Sequence, residues 1–266
     1  MEIKNILACV DSSDYGVSVM RFSAYLARAL KANITGLHVI DIVQLEGPFM
    51  YDISGALGLE PFIDFSSKVR DVLKQKGENI LSAFRSIAEE YNVDFKSYME
   101  FGVVPNVIVD LAKDYDLVVI GKKGVNEQYE KGILGGVAET VLRRVHKPLF
   151  VAPKHFYTFK EVIACVDSRE PSMRAYNMAL ELSRLFGVNL SCVHVKSKAP
   201  LPQIDGVGMV ESDTVVDGLE GFISQRERPL VCMGAYAKSK LLEMVLGSTT
   251  EAILRRDEKN AFLVVR

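Results

Sequence analysis

The sequence lacks the features that mark membrane proteins, secreted proteins and strongly charged proteins. Its 266 residues contain no apolar run close to the roughly 20 residues that span a bilayer, and the N-terminal stretch has no signal-peptide hydrophobic region. The formal net charge is only −2, so no overall field draws the chain to nucleic acid or to an anionic membrane. We therefore expect a cytoplasmic protein that binds neither nucleic acid nor membranes.

The sequence also shows no pattern typical of a disulfide framework, a zinc site or a catalytic triad. The four cysteines lie in or beside apolar runs, form no C-x-x-C pair and show no metal-ligand spacing with histidine. This favours reduced, buried thiols over a disulfide framework or a zinc site. No Ser–His–Asp or metal constellation is readable, so we expect no catalytic residue and no metal ligand.

What the sequence does contain is an alternation of short apolar runs with amphipathic helical patterns. Continuous runs such as Ile6–Val10 and Leu117–Ile120 suit parallel strands that are covered on both faces. The alternation predicts an α/β fold with a mostly parallel sheet. In the first part of the chain the predicted strands are 6–10, 34–40, 95–101, 117–120 and 149–152, the predicted helices are about 14–30, 66–91, 106–113 and 138–145, and residues 44–64 are predicted to form an ordered loop or lid.

A glycine-bearing loop, Gly121–Val137, connects one of these strands to a helix. A helix N-terminus after a buried strand presents backbone N–H groups and a positive dipole end, which suits phosphate. Loop lysines at 122, 123, 238 and 240 are candidates for steering phosphate groups, although solvated lysines are equally expected there. The Glu89–Glu90 and Arg143–Arg144 pairs are interpreted as solvated helix faces.

The chain repeats itself at half its length. I-L-A-C-V-D-S at 6–12 returns as V-I-A-C-V-D-S at 162–168, and 27 residues separate Asp11 from His38 as well as Asp167 from His194. A second glycine loop follows at 234–249. The same motifs at the same spacings in both halves predict two copies of one domain, at 1–155 and 156–266.

The two copies differ in length after the second strand. His38 and Gly135 are 97 residues apart, whereas His194 and Gly247 are 53 apart, a difference of 44. The missing part corresponds to the extra loop and long helix at 41–91. The second sheet is therefore expected to have one face without a covering helix, which would pack on the first domain or on a second chain.

With these motifs the chain resembles the universal stress protein family in its tandem two-domain form. The ATP-binding branch of that family has G-x2-G-x9-G-S/T before the last helix and an Asp at the end of the first strand. The second copy has alanine in place of the second glycine, and its pattern is Gly234-x2-Ala237-x9-Gly247-Ser248-Thr249. The first copy has a spacer that is one residue longer and glycine in place of serine, and its pattern is Gly121-x2-Gly124-x10-Gly135-Gly136.

The resemblance implies two tandem, open-twisted, mostly parallel five-stranded Rossmann-like sheets with flanking helices, the second domain being truncated. It also implies binding of ATP or AMP, with Mg²⁺ as a candidate additional ligand. In such proteins the Asp contacts adenine, the second strand's backbone holds the base edge and the glycine loop surrounds the phosphates. The implied nucleotide-binding residues are Asp11, Ser12, Val39, Gly121, Gly124, Gly135, Gly136, Val137, Asp167, Ser168, Val195, Gly234, Ala237, Gly247, Ser248 and Thr249.

Two functions remain open at this point. The first is an adenine-nucleotide-binding regulatory protein of the stress response, and the second is an interaction protein of the same family whose sites are vestigial in one or both halves. Asp11 and Asp167 are alternatively residues that satisfy backbone donors in a turn. His38 and His194 are expected to be hydrogen-bonded core residues. An enzyme is less favoured, because V-D-S-S-D matches neither the S-G-G-x-D-S nor the H-I-G-H motif of related nucleotidyl-transfer folds.

The resemblance also implies that the two halves form an internal pseudo-dimer. In similar proteins the last strands of two domains pair antiparallel. Here the candidate edge strands are Leu149–Val151 and Phe262–Val265, whose pairing would remove two exposed edges. A homodimer of whole chains is a further expectation, based on the uncovered sheet face.

Overall fold

The computed structural model describes residues 2–42, 63–125, 134–196, 204, 206–235 and 247–266. The strands are β1 (Asn5–Cys9), β2 (Asn33–Asp41), β3 (Phe95–Gly102), β4 (Leu117–Gly121), β5 (Leu149–Ala152), β6 (Glu161–Cys165), β7 (Asn189–Val195), β8 (Val207–Val210), β9 (Pro229–Gly234) and β10 (Ala261–Val265). The helices that concern the site are α1 (Asp14–Leu30), α2 (Ile63–Glu90), α3 (Val104–Leu111), α4 (Gly136–Arg144), α5 (Glu170–Phe186), α6 (Val215–Ser224) and α7 (Ser248–Arg256).

All these strands form one sheet in the order β3-β2-β1-β4-β5-β10-β9-β6-β7-β8. Pairing is parallel within each set of five, as the α/β prediction requires. The two sets join where β5 and β10 pair antiparallel, with Val151 opposite Phe262 and Leu149 opposite Val264. These are the two candidate edge strands that the family resemblance implied would pair. Their pairing makes the two five-stranded sheets continuous.

Local sequence explains where the first helix begins and ends. Ser13 is the N-cap of α1, and its side chain accepts a hydrogen bond from the Gly16 N–H at 3.1 Å. Lys31 closes the helix in the left-handed conformation, with φ of 56°. The helix buries one apolar face, including Phe22 and Leu26, against the sheet. α1 therefore starts directly after the end of β1, where the site lies.

On one face of the sheet, aromatic rings join the two halves. Phe22 of α1 lies within 6 Å of four other rings, and the ring of Tyr25 stacks on that of Phe186 of α5 at 4.8 Å. The Tyr157 hydroxyl donates to the Pro229 carbonyl at 2.9 Å and accepts from the Ala261 N–H at 2.7 Å. We call this group the aromatic seam, and its members are Phe22, Tyr25, Phe150, Phe156, Tyr157, Phe159 and Phe186.

On the other face, four charged side chains of α4 and α7 join the halves. Arg143 contacts both Glu139 and Glu251, and Arg255 contacts both Glu251 and Glu139, each at 3.0 Å. The interpretation of Arg143 as a solvated residue was therefore wrong, because the partner glutamate comes from the repeat and lies far away in sequence. Arg144 is exposed and donates to the Asn106 side chain.

The expected elements are present with shifted boundaries. α2 runs from Ile63 to Glu90, so the expected loop at 44–64 ends earlier than predicted, and its residues 44–62 lie outside the described residues. In the second half β7 and β8 are neighbouring parallel strands, separated by residues 196–206. Met209 of β8 is 52% exposed. The predictions that the less covered face of the second sheet packs on the first domain or on a second chain, and that whole chains dimerise, stay predictions.

The remaining composition-based expectations concern thiols and membranes. All four cysteines are free, and Cys192 and Cys232 are buried. Burial raises the pKa of the Cys165 thiol to about 12. Within the described ranges, no helix has the length and hydropathy needed to cross a bilayer.

Candidate functional site

A cavity of about 290 Å³ lies at the carboxyl ends of β1, β2 and β4. The chain leaves β1 toward β2 on one side, and β4 lies on the other side. Ligands of open α/β sheets bind at such a switch point in strand order. Its volume is close to the lower limit of about 300 Å³ for small-molecule pockets. Helix α4 begins at its rim.

Asp11 links the end of β1 to the glycine loop. Its Oδ1 accepts hydrogen bonds from the backbone N–H of Ser13, at 2.9 Å, and from the Ser13 hydroxyl. Its Oδ2 accepts from the Val125 N–H at 3.2 Å. The carboxylate thus satisfies backbone donors, as the alternative interpretation proposed, and it also lines the cavity. Each carboxylate oxygen has two lone pairs, so Oδ2 retains capacity for a ligand donor.

The N-terminus of α4 also lines the cavity. Gly135 is the N-cap residue, and its N–H donates to the Lys122 carbonyl at 3.0 Å. Gly136 and Val137 follow on the exposed rim, and a Cβ at Gly136 would meet nothing within 4 Å. Having no side chain, Gly135 leaves this end without a side-chain cap. The positive end of the helix dipole therefore faces open space, which favours an anion.

The corresponding place in the second half is much smaller and holds an arginine. The cavity there has a volume of about 80 Å³. Arg169 stands where the first half has Ser13, and its Nε lies 2.9 Å from Asp167 Oδ2. Its backbone N–H also donates to Asp167 Oδ1 at 2.9 Å. The Arg169 guanidinium therefore binds the Asp167 carboxylate. The equivalent carboxylate in the first half, that of Asp11, retains capacity for a ligand donor.

The structure gathers the first-half site residues in one place. All of the residues proposed there line the larger cavity: Asp11, Ser12, Val39, Gly121, Gly124, Gly135, Gly136 and Val137. Val39 lies two residues beyond Leu37, the last β2 residue that pairs with β1. That these residues bind a nucleotide stays a prediction.

The second-half site residues are gathered less completely. Some of them line the smaller cavity: Asp167, Val195, Gly234 and Thr249. Ser168, Gly247 and Ser248 are not among the described residues of its lining. Ala237, Lys238 and Lys240 lie outside the described residues. The two halves are thus unequal as sites.

Sequence reasoning missed the residues that α2 and α3 bring to the cavity. These are Leu73, Lys76, Val104 and Ile108. Ile108 is the only fully buried one and belongs to the apolar face of α3, which periodicity could have assigned. Lys76 gave no signal, because its place depends on how α2 packs beside β2.

The sequence left open whether Lys122 and Lys123 steer phosphate groups or are solvated; both are buried, and Lys123 also lines the larger cavity. Lys122 is 1% exposed, and its ammonium donates to the Asp257 carbonyl. Lys123 is 7% exposed and pairs with Glu258, its Nζ lying 2.9 Å from Oε1. Both ammonium groups point into the second half. Burial lowers the pKa of Lys122 to about 8, while Asp257 and Glu258 oppose that decrease.

The two strand histidines are hydrogen-bonded, as predicted. Nδ1 of His38 lies 2.9 Å from the Val10 carbonyl oxygen, and Nδ1 of His194 lies 2.8 Å from that of Val166. Within the part of the chain that the structure describes, no group of three or more His, Cys, Asp or Glu side chains is placed to hold a metal ion.

Comparison with known proteins supports the interpretation of the motifs. A family model described as the universal stress protein family matches residues 2–153, which contain the larger cavity. The chain belongs to the universal stress protein family. This assignment agrees with the glycine-loop pattern and with the repeated strand motif.

Individual relatives extend the likeness along the chain. A universal stress protein of Synechocystis sp. is 27% identical over 278 aligned residues, covering 96% of this chain and 97% of that protein. One from Methanocaldococcus jannaschii is 30% identical over 153 residues, covering 57% of this chain and 82% of that protein. The crystal structure of a universal stress protein from Archaeoglobus fulgidus matches with a TM-score of 0.74 and 18% identity, covering 100% of this chain and 99% of that one. This structural likeness concerns the fold alone.

Proposed function

We propose that this universal stress protein binds one adenine nucleotide, AMP or ATP, per chain in the larger cavity. We further propose that it acts as a regulatory module of the stress response rather than as an enzyme. The observation that carries the proposal is that every first-half residue implied by the family resemblance lines one cavity of about 290 Å³. A carboxylate and a helix N-terminus both line this cavity.

Two features of the cavity suit the two ends of a nucleotide. The Asp11 carboxylate is acceptor-only when ionised, so it suits a base that presents an amino group, as adenine does. The α4 N-terminus favours phosphate. Val39 also lines the cavity, beyond the part of β2 that pairs with β1. Mg²⁺ would enter with the phosphates of ATP rather than through a preformed protein site.

A regulatory role is favoured by the hydrogen bonding of two side chains that line the cavity, Asp11 and His38. Asp11 accepts hydrogen bonds from the Ser13 N–H, the Ser13 hydroxyl and the Val125 N–H. Nδ1 of His38 is engaged with a backbone carbonyl. Neither side chain is therefore arranged to take a proton from a water molecule at the phosphate end. Slow hydrolysis of ATP remains compatible with this arrangement.

The second half supports a stoichiometry of one. Its cavity of about 80 Å³ is far below the usual range of ligand pockets. The Asp167 carboxylate is bound by Arg169 within the same turn. This observation favours the alternative function, an interaction surface with a vestigial site, for the second half only.

Titration calorimetry on nucleotide-stripped protein tests the proposal. AMP and ATP are expected to bind with micromolar affinity and one molecule per chain, and GTP at least about tenfold more weakly, which corresponds to about 1.4 kcal/mol. The titration is run with and without Mg²⁺. Absence of both binding heat and thermal shift with every nucleotide would contradict nucleotide binding and favour the interaction protein.

Arg169→Ser is expected to add a second AMP site that is weaker than the first, because it gives the second half the serine found at Ser13 but leaves Ala237 where the first half has Gly124. Freed from the guanidinium, Asp167 would become available to an adenine amino group. The measurement is the AMP stoichiometry, which should rise from one toward two. Arg174→Ser is the matched control, since Arg174 is paired with Glu170 on the exposed side of the same helix. An unchanged stoichiometry would show that Arg169 is not what closes this site.

A further inference from the structure

Two neighbouring residues of the glycine loop extend their ammonium groups to the second half, although Lys123 also lines the cavity. Gly121 and Gly124 lie at the cavity, whereas the ammonium groups of Lys122 and Lys123 lie against the second half. The loop therefore has one surface on the site and another on the other half of the molecule. Buried lysine side chains are uncommon unless paired, so the burial of Lys122 and Lys123 requires an explanation.

Lys122 connects three elements through three separate groups. Its carbonyl accepts from the N–H of Gly135, the N-cap of α4, at 3.0 Å, and its N–H donates to the Ala152 carbonyl at the end of β5 at 3.0 Å. Its ammonium donates to the carbonyl of Asp257, the C-cap of α7. One residue thus contacts the phosphate-binding end of α4 and the C-terminal end of α7.

The far end of this connection is a short acidic turn, residues 257–260. The Asp257 carboxylate accepts from the N–H groups of Lys259 and Asn260, each at 2.9 Å, which holds the turn closed. Glu258 pairs with Lys123, and its side chain is 53% exposed. The turn therefore contacts the loop on one side and solvent on the other.

Electrostatics oppose any movement of the loop without the turn. The Lys122 ammonium lies at the C-terminus of α7, where the helix dipole is negative. It is almost fully buried, and a buried charge that loses its partner is strongly destabilising. A displacement of Gly121 or Gly124 at the site is therefore expected to displace the acidic turn as well.

Among the described residues of the two loops, only those of the first half extend a lysine to the other half. The residue equivalent to Lys122 in the second half is Ala235, whose N–H donates to the Val265 carbonyl at 2.7 Å in the same backbone role. An alanine has no ammonium to extend toward the first half. The duplicated loops therefore differ in function at this position.

We propose that Lys122 and Lys123 couple the larger cavity to the acidic turn, so that a nucleotide bound in the first half changes the surface of the second half at 257–260. The inference rests on the proposed function, because the ligand is the adenine nucleotide of that site. Coupling between two sites is reciprocal. A change at the turn must then alter nucleotide affinity at the cavity.

Calorimetry with AMP on the full chain tests this reciprocity. Glu258→Gln is expected to weaken AMP binding at least about fivefold, the lower end of typical coupling, because the loop loses its anchor in the turn. Lys123→Met should weaken binding to the same degree, and the double variant should bind no more weakly than either single variant. Glu220→Gln is the matched control: it removes a glutamate that contacts Arg256 of α7 and no part of the loop, and it should bind AMP as the wild type does.

Hydrogen exchange of the wild-type protein provides the second measurement. Addition of AMP is expected to slow exchange at the amides of Lys259 and Asn260, and Lys123→Met should abolish that change. If AMP binds but exchange at the turn is unaffected, or if Glu258→Gln binds AMP as tightly as wild type or more tightly, the coupling is wrong and the proposed function stands. If the wild type binds no adenine nucleotide, both are overturned.

Discussion

Replacing Gly124 with alanine is expected to weaken AMP binding by at least about tenfold, or about 1.4 kcal/mol. A Cβ at this position would lie 2.7 Å from Asp11 Oδ2. Such an approach is too close, so the carboxylate would have to move away from the Val125 N–H and from Ser13. The displaced group would no longer be positioned for the base. Titration calorimetry measures the effect.

Gly221→Ala is the matched control for this change. Gly221 lies on α6, where an added Cβ meets nothing within 4 Å, and it is remote from the cavity lining. The control should bind AMP as the wild type does. The second copy has Ala237 at the position equivalent to Gly124, so Gly124→Ala also gives the first half the residue of the second. Unchanged affinity in Gly124→Ala would show that Asp11 does not contact the ligand.

Phe22→Ala is expected to lower the free energy of unfolding by about 3–5 kcal/mol. The Phe22 ring is fully buried at the centre of the aromatic seam. Its centroid lies 4.9–5.8 Å from those of Phe150, Phe156, Tyr157 and Phe159. Truncation would leave a cavity where α1 meets the connection between the halves. Urea denaturation followed by circular dichroism measures the loss.

The same measurement on Phe222→Ala provides the control. Phe222 is only partly buried on α6, where its ring lies 4.6 Å from the Arg226 guanidinium carbon. Its truncation should cost clearly less than that of Phe22. Because the seam joins both halves, Phe22→Ala should lower one cooperative transition as a whole. A loss below about 1 kcal/mol would mean that the seam contributes little to stability.

Much of the fold was predictable because its signals are local or repeated. Buried parallel strands such as β1 and β4 appear as continuous apolar runs. The family resemblance then implied that β5 and β10 pair, and the structure pairs them. Boundaries were less accurate: α2 begins at Ile63 rather than near residue 66, since helix ends depend on contacts outside the helix.

Site residues were predictable where their backbone position follows from the order of strand, loop and helix. They were not predictable where their role depends on the direction of the side chain. Gly121 and Gly135 are positioned by β4 and α4, so their place at the cavity follows from the strand–loop–helix order. Lys122 was misassigned because its partner, Asp257, is 135 residues away in sequence. Arg169 is different: V-D-S-R-E against V-D-S-S-D is visible in the sequence, and an arginine two residues after an aspartate is a signal that could have been used.

The antiparallel junction of β5 and β10 has a consequence for synthesis on the ribosome. From Ala152 to Ala261 the chain is 109 residues long, which takes about 5–20 s at the usual elongation rates of about 5–20 residues per second. During that interval the partner of β5 does not yet exist, and the apolar edge L-F-V-A is open to other nascent chains. The strand is flanked by Lys147 and Pro148 on one side and by Pro153 and Lys154 on the other. Proline offers no N–H to a foreign strand and lysine repels a second copy, so these residues protect the edge until its own partner has been made.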